Sequence, residues 1–225
     1  MTLDEFSNEF DSLINSSSIP LLSFDEYEKS VFLTNAQEIV VKGLYNGTLT
    51  GVPFERTEEM RRYINDLIKI DTPNIIEGSN HLISKSYLFE IPKDLLFIAY
   101  ESVVFDDDTL DCNKGAIVEV VPITQDELHR TIDNPFRGPN NRRVLRIDVG
   151  NNCIELISKY KIGEYKISYI SRPDPIILVD LPDGLTINEK SKQINCKLNT
   201  AVHRVIFEMA VSLALKSRSS VGKQS

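Results

Sequence analysis

Apolar residues along this chain follow two periods, and the change between them falls near residue 80. Up to there, and again after residue 197, they recur at three- and four-residue steps, as on one face of a helix. Leu3, Phe6, Phe10, Leu13 and Ile14 predict a short helix over Leu3–Ile14, closed by the polar break Asn15–Ser18 and Pro20. At Ser23 the run SFDE predicts a capping box, Ser23 accepting from the backbone at Glu26 and Glu26 reaching back. Phe32, Ala36, Ile39, Val40 and Leu44 continue that helix to a left-handed stop at Asn46-Gly47. A third helix over 55–70 carries Met60, Tyr63, Ile64, Leu67 and Ile68, and Asp71-Thr72-Pro73 ends it. The clearest stripe comes last, in Leu198–Ser217, with Val202, Val205, Ile206, Met209, Ala210, Leu213 and Ala214 on one side. Such a stripe requires a partner, so either the two ends of the chain meet or this helix buries itself in another subunit.

Between these helices the pattern is that of strands. Leu82–Ile91, Leu95–Phe105 and Ala116–Val121 are short runs rich in β-branched and aromatic residues, separated by Pro, Asp and Gly. Thr124–Ile132 reads as a brief helical insert capped by Thr124, and 133–141 (DNPFRGPNN) as a loop. In Arg142–Val149, Leu145, Ile147 and Val149 alternate with Arg146 and Asp148, which predicts one buried and one wet face. Cys153–Ser158, Glu164–Ile170 and Ile176–Asp180 complete about seven mostly antiparallel strands, with a turn at 181–184. The expected class is α+β, a helical bundle into which an antiparallel β-rich domain is inserted. The expected limits are 1–75 for the N-terminal helical segment, 76–197 for the inserted domain and 198–225 for the closing helix with its polar tail.

Charge adds an asymmetry. The net charge is −8, which speaks against a general nucleic-acid binder. Residues 1–30 carry seven acids against Lys29, while 197–225 carry five bases against Glu208. The ends could therefore attract, within a subunit or between neighbours, or be the solvated faces of unrelated helices. No apolar run is long enough to cross a bilayer, and the acidic opening MTLDEFSNEF has neither the basic start nor the apolar run of a signal peptide. Cys112, Cys153 and Cys196 are odd in number and widely spaced, as packed, reduced thiols would be.

Candidate chemistry is sparse. Asp106, Asp107, Asp108 and Asp111 could offer hard oxygen ligands to Ca²⁺, but they lack the glycine and distal glutamate of an EF-hand and read better as a solvated hairpin tip. His81, His129 and His203 lie far apart, with no metal-ligand spacing and no nucleophile motif; His203, beside the last stripe, reads as a surface or interface residue. There is no glycine-rich phosphate loop. Arg137, Arg142, Arg143 and Arg146 place four guanidinium groups in ten residues with no acid between them. They suit a docking loop for an acidic partner, or a strand entry with a charged wet face. No catalytic, cofactor-binding or metal residue is nominated, and no cofactor is expected.

Five segments share a further likeness: SFDEYEKSVFLTNAQEIVVKGLYNG at 23–47, FERTEEMRRYINDLI at 54–68, TQDELHRTIDNPFRGP at 124–139, YKISYISRPDPIILVDLP at 165–182 and CKLNTAVHRVIFEMAVSLAL at 196–215. In these the chain resembles the virion structural proteins of crAss-like tailed bacteriophages of Bacteroides, and in particular the ring components of the head–tail connector. The resemblance implies a non-enzymatic subunit of a homo-oligomeric ring, a dodecamer, with the portal protein and other tail or ring proteins as neighbours. It places the chain in the virion, and in the host cytoplasm during assembly, with genome DNA passing through the ring, no sequence-specific nucleic-acid binding and no membrane partner. The alternative from another class is a β-sandwich-type carbohydrate- or protein-binding module of the virion, recognising its ligand through the loops of 80–180; a virion-associated hydrolase is a third.

Overall fold

The computed structural model describes residues 1–16, 23–49, 58–76, 82–83 and 86–221. The chain divides into two compact units, one made of 1–67 with 172–225 and the other of 68–171.

In the first unit α1 (Leu3–Ser16) and α2 (Glu26–Asn46) both pack on α5 (His203–Val221), which follows a 3-10 turn at Thr200–Val202. The two ends of the chain therefore meet. Phe6, Phe10 and Ile14 of α1 are buried, as are Ile206, Phe207, Ala210 and Ala214 of α5. The Phe6 ring lies 4.8 Å from that of Phe207 and 5.0 Å, edge on, from His203. His203 is thus a core residue, not the surface or interface histidine its position suggested, and its Nε2 lies 3.0 Å from the Leu198 carbonyl oxygen. The buried stripe is also rotated from the expected one: Phe207 is in it, while Val205 is 37% exposed.

The cap of α2 lies two residues beyond the expected one. Asp25, not Ser23, accepts from the Glu28 backbone N–H at 2.7 Å, and Glu28 returns the bond to the Asp25 N–H. Aspartate is as good an N-cap as serine, so the sequence offered two overlapping boxes. The stop at Gly47, with φ 72°, stands where it was expected. The third helix is short. α3 covers only Glu58–Tyr63, a 3-10 turn follows at Asn65–Leu67, and Ile68 already begins a strand; residues 55–57 lie outside the described set. Of the opposite charges at the two ends, Arg218 reaches Glu28 at 3.5 Å and covers the Phe24 ring. Asp11 and Glu26 converge instead on Lys29, which is nearly fully buried.

Ile176–Asp180, expected as a strand, is not part of the sheet: it bends at Leu178–Val179 and pairs at the isolated bridge Ile177–Ile194. Its backbone is satisfied by a polar row on α2. The Thr34 hydroxyl accepts from the Ile176 N–H and donates to its carbonyl, the Ser30 hydroxyl accepts from the Leu178 N–H, and the Gln37 amide donates to the Asp174 carbonyl. A buried backbone must find partners somewhere, and here helix hydroxyls supply what a neighbouring strand would. Residues 172–197 therefore belong with the helices.

The second unit is a seven-stranded sheet in the order β1-β7-β3-β4-β5-β6-β2. The strands are β1 (Ile68–Asp71), β2 (Ser86–Glu90), β3 (Leu95–Phe105), β4 (Ile117–Pro122), β5 (Arg143–Gly150), β6 (Cys153–Ile157) and β7 (Ile162–Ser171). All pairs are antiparallel except β4 with β5, which run parallel. The sheet is therefore mixed, because a crossover containing α4 (Leu128–Ile132) brings the chain back in the same direction. That helix is shorter than expected and begins without a side-chain cap, at Glu127 instead of Thr124. Beyond β1 the same segment reaches the other edge: Ile75 pairs with Phe89, and the Ile76 N–H donates to the Leu88 carbonyl. The sheet curls until residues 68–76 join its two edges, which occupies the free strand edges.

This curl creates an interior and an exterior that are both partly dry. Phe89, Val103, Phe105, Val118, Val120, Val144, Ile154, Leu156, Tyr165 and Ile167 fill the interior. Leu145, Ile147 and Ile157 form a second cluster on the other face, under Leu128 of α4. Hence β5 has no wet face in its first half, contrary to its alternation.

Candidate functional site

The four arginines singled out in the sequence part company. Arg146 shares the inner face of β5 with Val144, and its guanidinium lies 2.9 Å from Glu101 of β3. The Tyr165 hydroxyl donates to the other Glu101 oxygen at 2.8 Å. The Glu101 side chain is 8% exposed and that of Arg146 12%. Burial raises the Glu101 pKa, against the opposing pull of Arg146 and the Tyr165 hydroxyl. The same burial, with the Glu101 charge, pushes the Tyr165 hydroxyl well above its ordinary range. The result is a buried charge pair in which the Tyr165 hydroxyl fills the second oxygen of the Glu101 carboxylate.

The other three arginines stand on or beside the loop 133–142. That loop is shaped from inside. The Asn134 side-chain oxygen accepts from the N–H groups of Phe136 and Arg137, at 2.9 and 3.0 Å, in an Asx turn. Gly138 then passes so close that a Cβ there would stand 2.7 Å from the Asn134 carbonyl oxygen. Arg143 donates from Nη1 to the Phe136 carbonyl at 2.9 Å, and Asn140 closes the base against the Arg143 backbone. The product is a fixed loop that holds the Phe136 ring 85% exposed, with Arg137 and Arg142 exposed beside it. A cavity of about 460 Å³ under the loop is lined by Val121, Ile123, Glu127, Arg137, Arg143 and Leu145, among others. An aromatic side chain held in water at the tip of a rigid loop has the geometry of a contact anchor.

The remaining candidates are occupied structurally. Asp106 lies within ion-pair distance of Lys114 and Lys161, and Asp108 of Lys114. Asp107 accepts from the Thr109 hydroxyl and N–H and from the Lys161 N–H, which hold its pKa below the usual carboxylate range. Among the described residues no group of three His, Cys, Asp or Glu is placed to hold a metal ion. His129 is exposed on α4; His81 and the side chains of Asp111 and Cys112 lie outside the described set. Cys153 and Cys196 are both half-buried, and burial pushes the Cys196 thiol up to about 11.

One buried acid escaped the sequence reading. Glu155 of β6 is 1% exposed and accepts from the N–H groups of Leu82 and Ile83, at 3.0 and 3.3 Å, and from the Ser86 hydroxyl. The signal was its place in CIELI, a single charge in an otherwise apolar strand.

The geometry is thus that of a protein with a preshaped contact loop on a curled sheet. The chain belongs to the phage tail ring protein 3/4 family, whose model matches residues 1–225. It is 49% identical to Ring protein 3 of Bacteroides phage crAss001, over 98% of each chain. It is 34% identical to Ring protein 4/5 of the same phage, over 95% of this chain and 92% of that one. The chain is a crAss-like phage ring protein, a structural component of the phage particle.

Proposed function

We propose that this chain is a non-enzymatic subunit of a ring in the connector between portal and tail, that twelve copies close the ring, and that genome DNA passes through it. The observation that carries the reading is the extent of the family likeness. It spans both compact units, so the likeness covers the sheet with its contact loop and the helices alike. The net charge of −8 fits a wall that does not hold DNA phosphates. Closing a ring needs two different patches on each copy, one meeting the other on the next subunit. The portal protein and other tail or ring proteins are the proposed neighbours above and below, in the virion and, during assembly, in the host cytoplasm.

Cryo-imaging of intact particles with symmetry averaging tests the reading. The expected result is a ring of this chain at the connector, of about 300 kDa, twelve times 25.5 kDa. Particles that lack the chain, or that carry it as isolated copies elsewhere, overturn it. Glycan binding by the full chain, abolished by changes in 106–108, would move the assignment to a recognition module.

A further inference from the structure

The contact loop has a complement on its own sheet. Where β1 leaves β7 and crosses to β2, the edge opens into a notch of roughly 580 Å³. Pro73, Ile75, Ile91 and Pro92 give it apolar walls, and Asp71 and Glu90 stand at its rim. Ile75 is 43% exposed and Glu90 is exposed, so this apolar surface with acids beside it is left in water. Lys93 also lines the notch, as the one base against those two acids. The loop 133–143 has the opposite character, with Arg137, Arg142 and Arg143 against Asp133, and one exposed aromatic ring. A phenylalanine ring buried in such a notch removes about 150–250 Å² from water, and guanidinium groups match carboxylates in geometry as well as sign.

Position argues for the same pairing. Around the curled sheet the loop stands at the start of β5, beside β4, and the notch lies between β1 and β2. Two strands, β7 and β3, separate β1 from β4 one way round, and only β6 separates β2 from β5 on the other. The registers set them apart along the strands: Glu90 pairs with Cys153 and Cys153 with Gly150, so the notch lies at the far end of β5 from Arg143, roughly 20 Å of strand away. A patch and its complement held apart on one body make a head-to-tail contact, the kind that propagates from copy to copy.

We infer that Phe136, flanked by Arg137 and Arg142, inserts into the Asp71–Glu90 notch of a second copy of this chain. This rests on the ring reading above and names the subunit contact within it.

Two measurements test the contact. In the first, intact particles are treated with a zero-length carbodiimide and the linked peptides are identified by mass spectrometry. Lys93, at the notch, should join Asp133, at the foot of the loop. Both are exposed, and the length of β5 lies between the notch and the loop within one sheet, so a zero-length link between them runs from copy to copy. Copies joined through other residues, with no link from the loop to the notch, overturn the contact and leave the ring standing. Loop residues joined to a different protein overturn the second-copy assignment. In the second measurement, full-length variants are compared by mass photometry and by ring occupancy in particles. Phe136→Asp and Arg137→Glu should each lower the ring population at least tenfold with unchanged circular dichroism, and Glu90→Arg should restore Arg137→Glu. Rings of Phe136→Asp as abundant as wild type overturn the contact, whereas particles without any ring of wild-type chain would overturn the ring reading instead.

Discussion

Replacing Arg146 by Met removes the cation and keeps much of its apolar stem, leaving the Glu101 carboxyl inside the curled sheet with only the Tyr165 hydroxyl to answer it. Breaking a buried pair from one side costs about 3–5 kcal/mol. The loss is bounded, because the stranded acid can always take up a proton. From an ordinary value of 4.5, protonation at pH 7 costs about 3.4 kcal/mol, and at pH 5.5 only about 1.4 kcal/mol. Arg146→Met should therefore lose about 3 kcal/mol near neutrality and about half that at pH 5.5. The sign follows from linkage. Burial raises Glu101, and without Arg146 nothing cationic opposes it, so the folded variant holds a proton where the unfolded chain has lost it. That contribution to stability is present below the unfolded value and disappears as pH rises through the folded one.

The assay is urea unfolding at the two pH values, followed by the near-ultraviolet tyrosine signal, since the chain has no tryptophan, with calorimetry to separate the two units. The double variant Glu101→Gln with Arg146→Met should return to within about 1 kcal/mol of wild type, because the pair is then neutral and Gln still accepts from Tyr165. A cost for Arg146→Met below about 1 kcal/mol at pH 7 would refute the reasoning. So would a cost that stays constant down to pH 5.5, or a double variant as unstable as the single one.

Other changes probe the first unit and the loop. Ile206→Asp puts an unpaired carboxylate at a fully buried position on α5 and should cost about 3–5 kcal/mol in chemical denaturation. Phe6→Ala removes the ring packed between His203 and Phe207 and should lose about 3–4 kcal/mol by the same measurement. Asp174 is held low in pKa by Lys190 and Lys197, so its contribution is present above about pH 4 and lost as pH falls through its folded value. The unfolding curves of Asp174→Asn and wild type should accordingly differ at pH 7 and draw together as the pH falls below the ordinary carboxylate range. Gly138→Ala should leave the melting of the sheet almost unchanged while making the Arg137 peptide bond the first site of limited tryptic cleavage.

The helices were legible because a helix stripe states both its partner requirement and its length. Phe6, Phe10 and Ile206 were correctly placed on buried faces by spacing alone. Segments that satisfy the backbone in an unusual way were not. Ile176–Asp180 has a strand's composition, yet Ile176 and Leu178 bond to Thr34 and Ser30 on α2, more than a hundred residues earlier. Nothing in PIILVD distinguishes a neighbouring strand from a row of helix hydroxyls. Ile68 failed in the opposite way: its helical spacing from Ile64 and Leu67 hid that it opens β1.

The site shows a deeper limit. A period of two reports which residues share a face, never which face is dry. In an open sheet the polar set of VLRIDV would be wet, and Arg146 would have joined Arg137, Arg142 and Arg143 as a surface cation. In the curled sheet Arg146 of that set turns inward while Asp148, nearer the strand end, stays wet, and the inward charge is tolerated only if an opposite charge arrives on another strand. Glu101 supplies it from β3, which is not a neighbour of β5, because β4 lies between them. The pairing could be foreseen only by someone who already knew the strand order. That order depends on the crossover through α4 that makes β4 and β5 parallel, so the buried pair follows from the topology and the exposed loop from local turn chemistry. Only the second kind of feature, Asn134 and Gly138 around Phe136, can be read from adjacent residues.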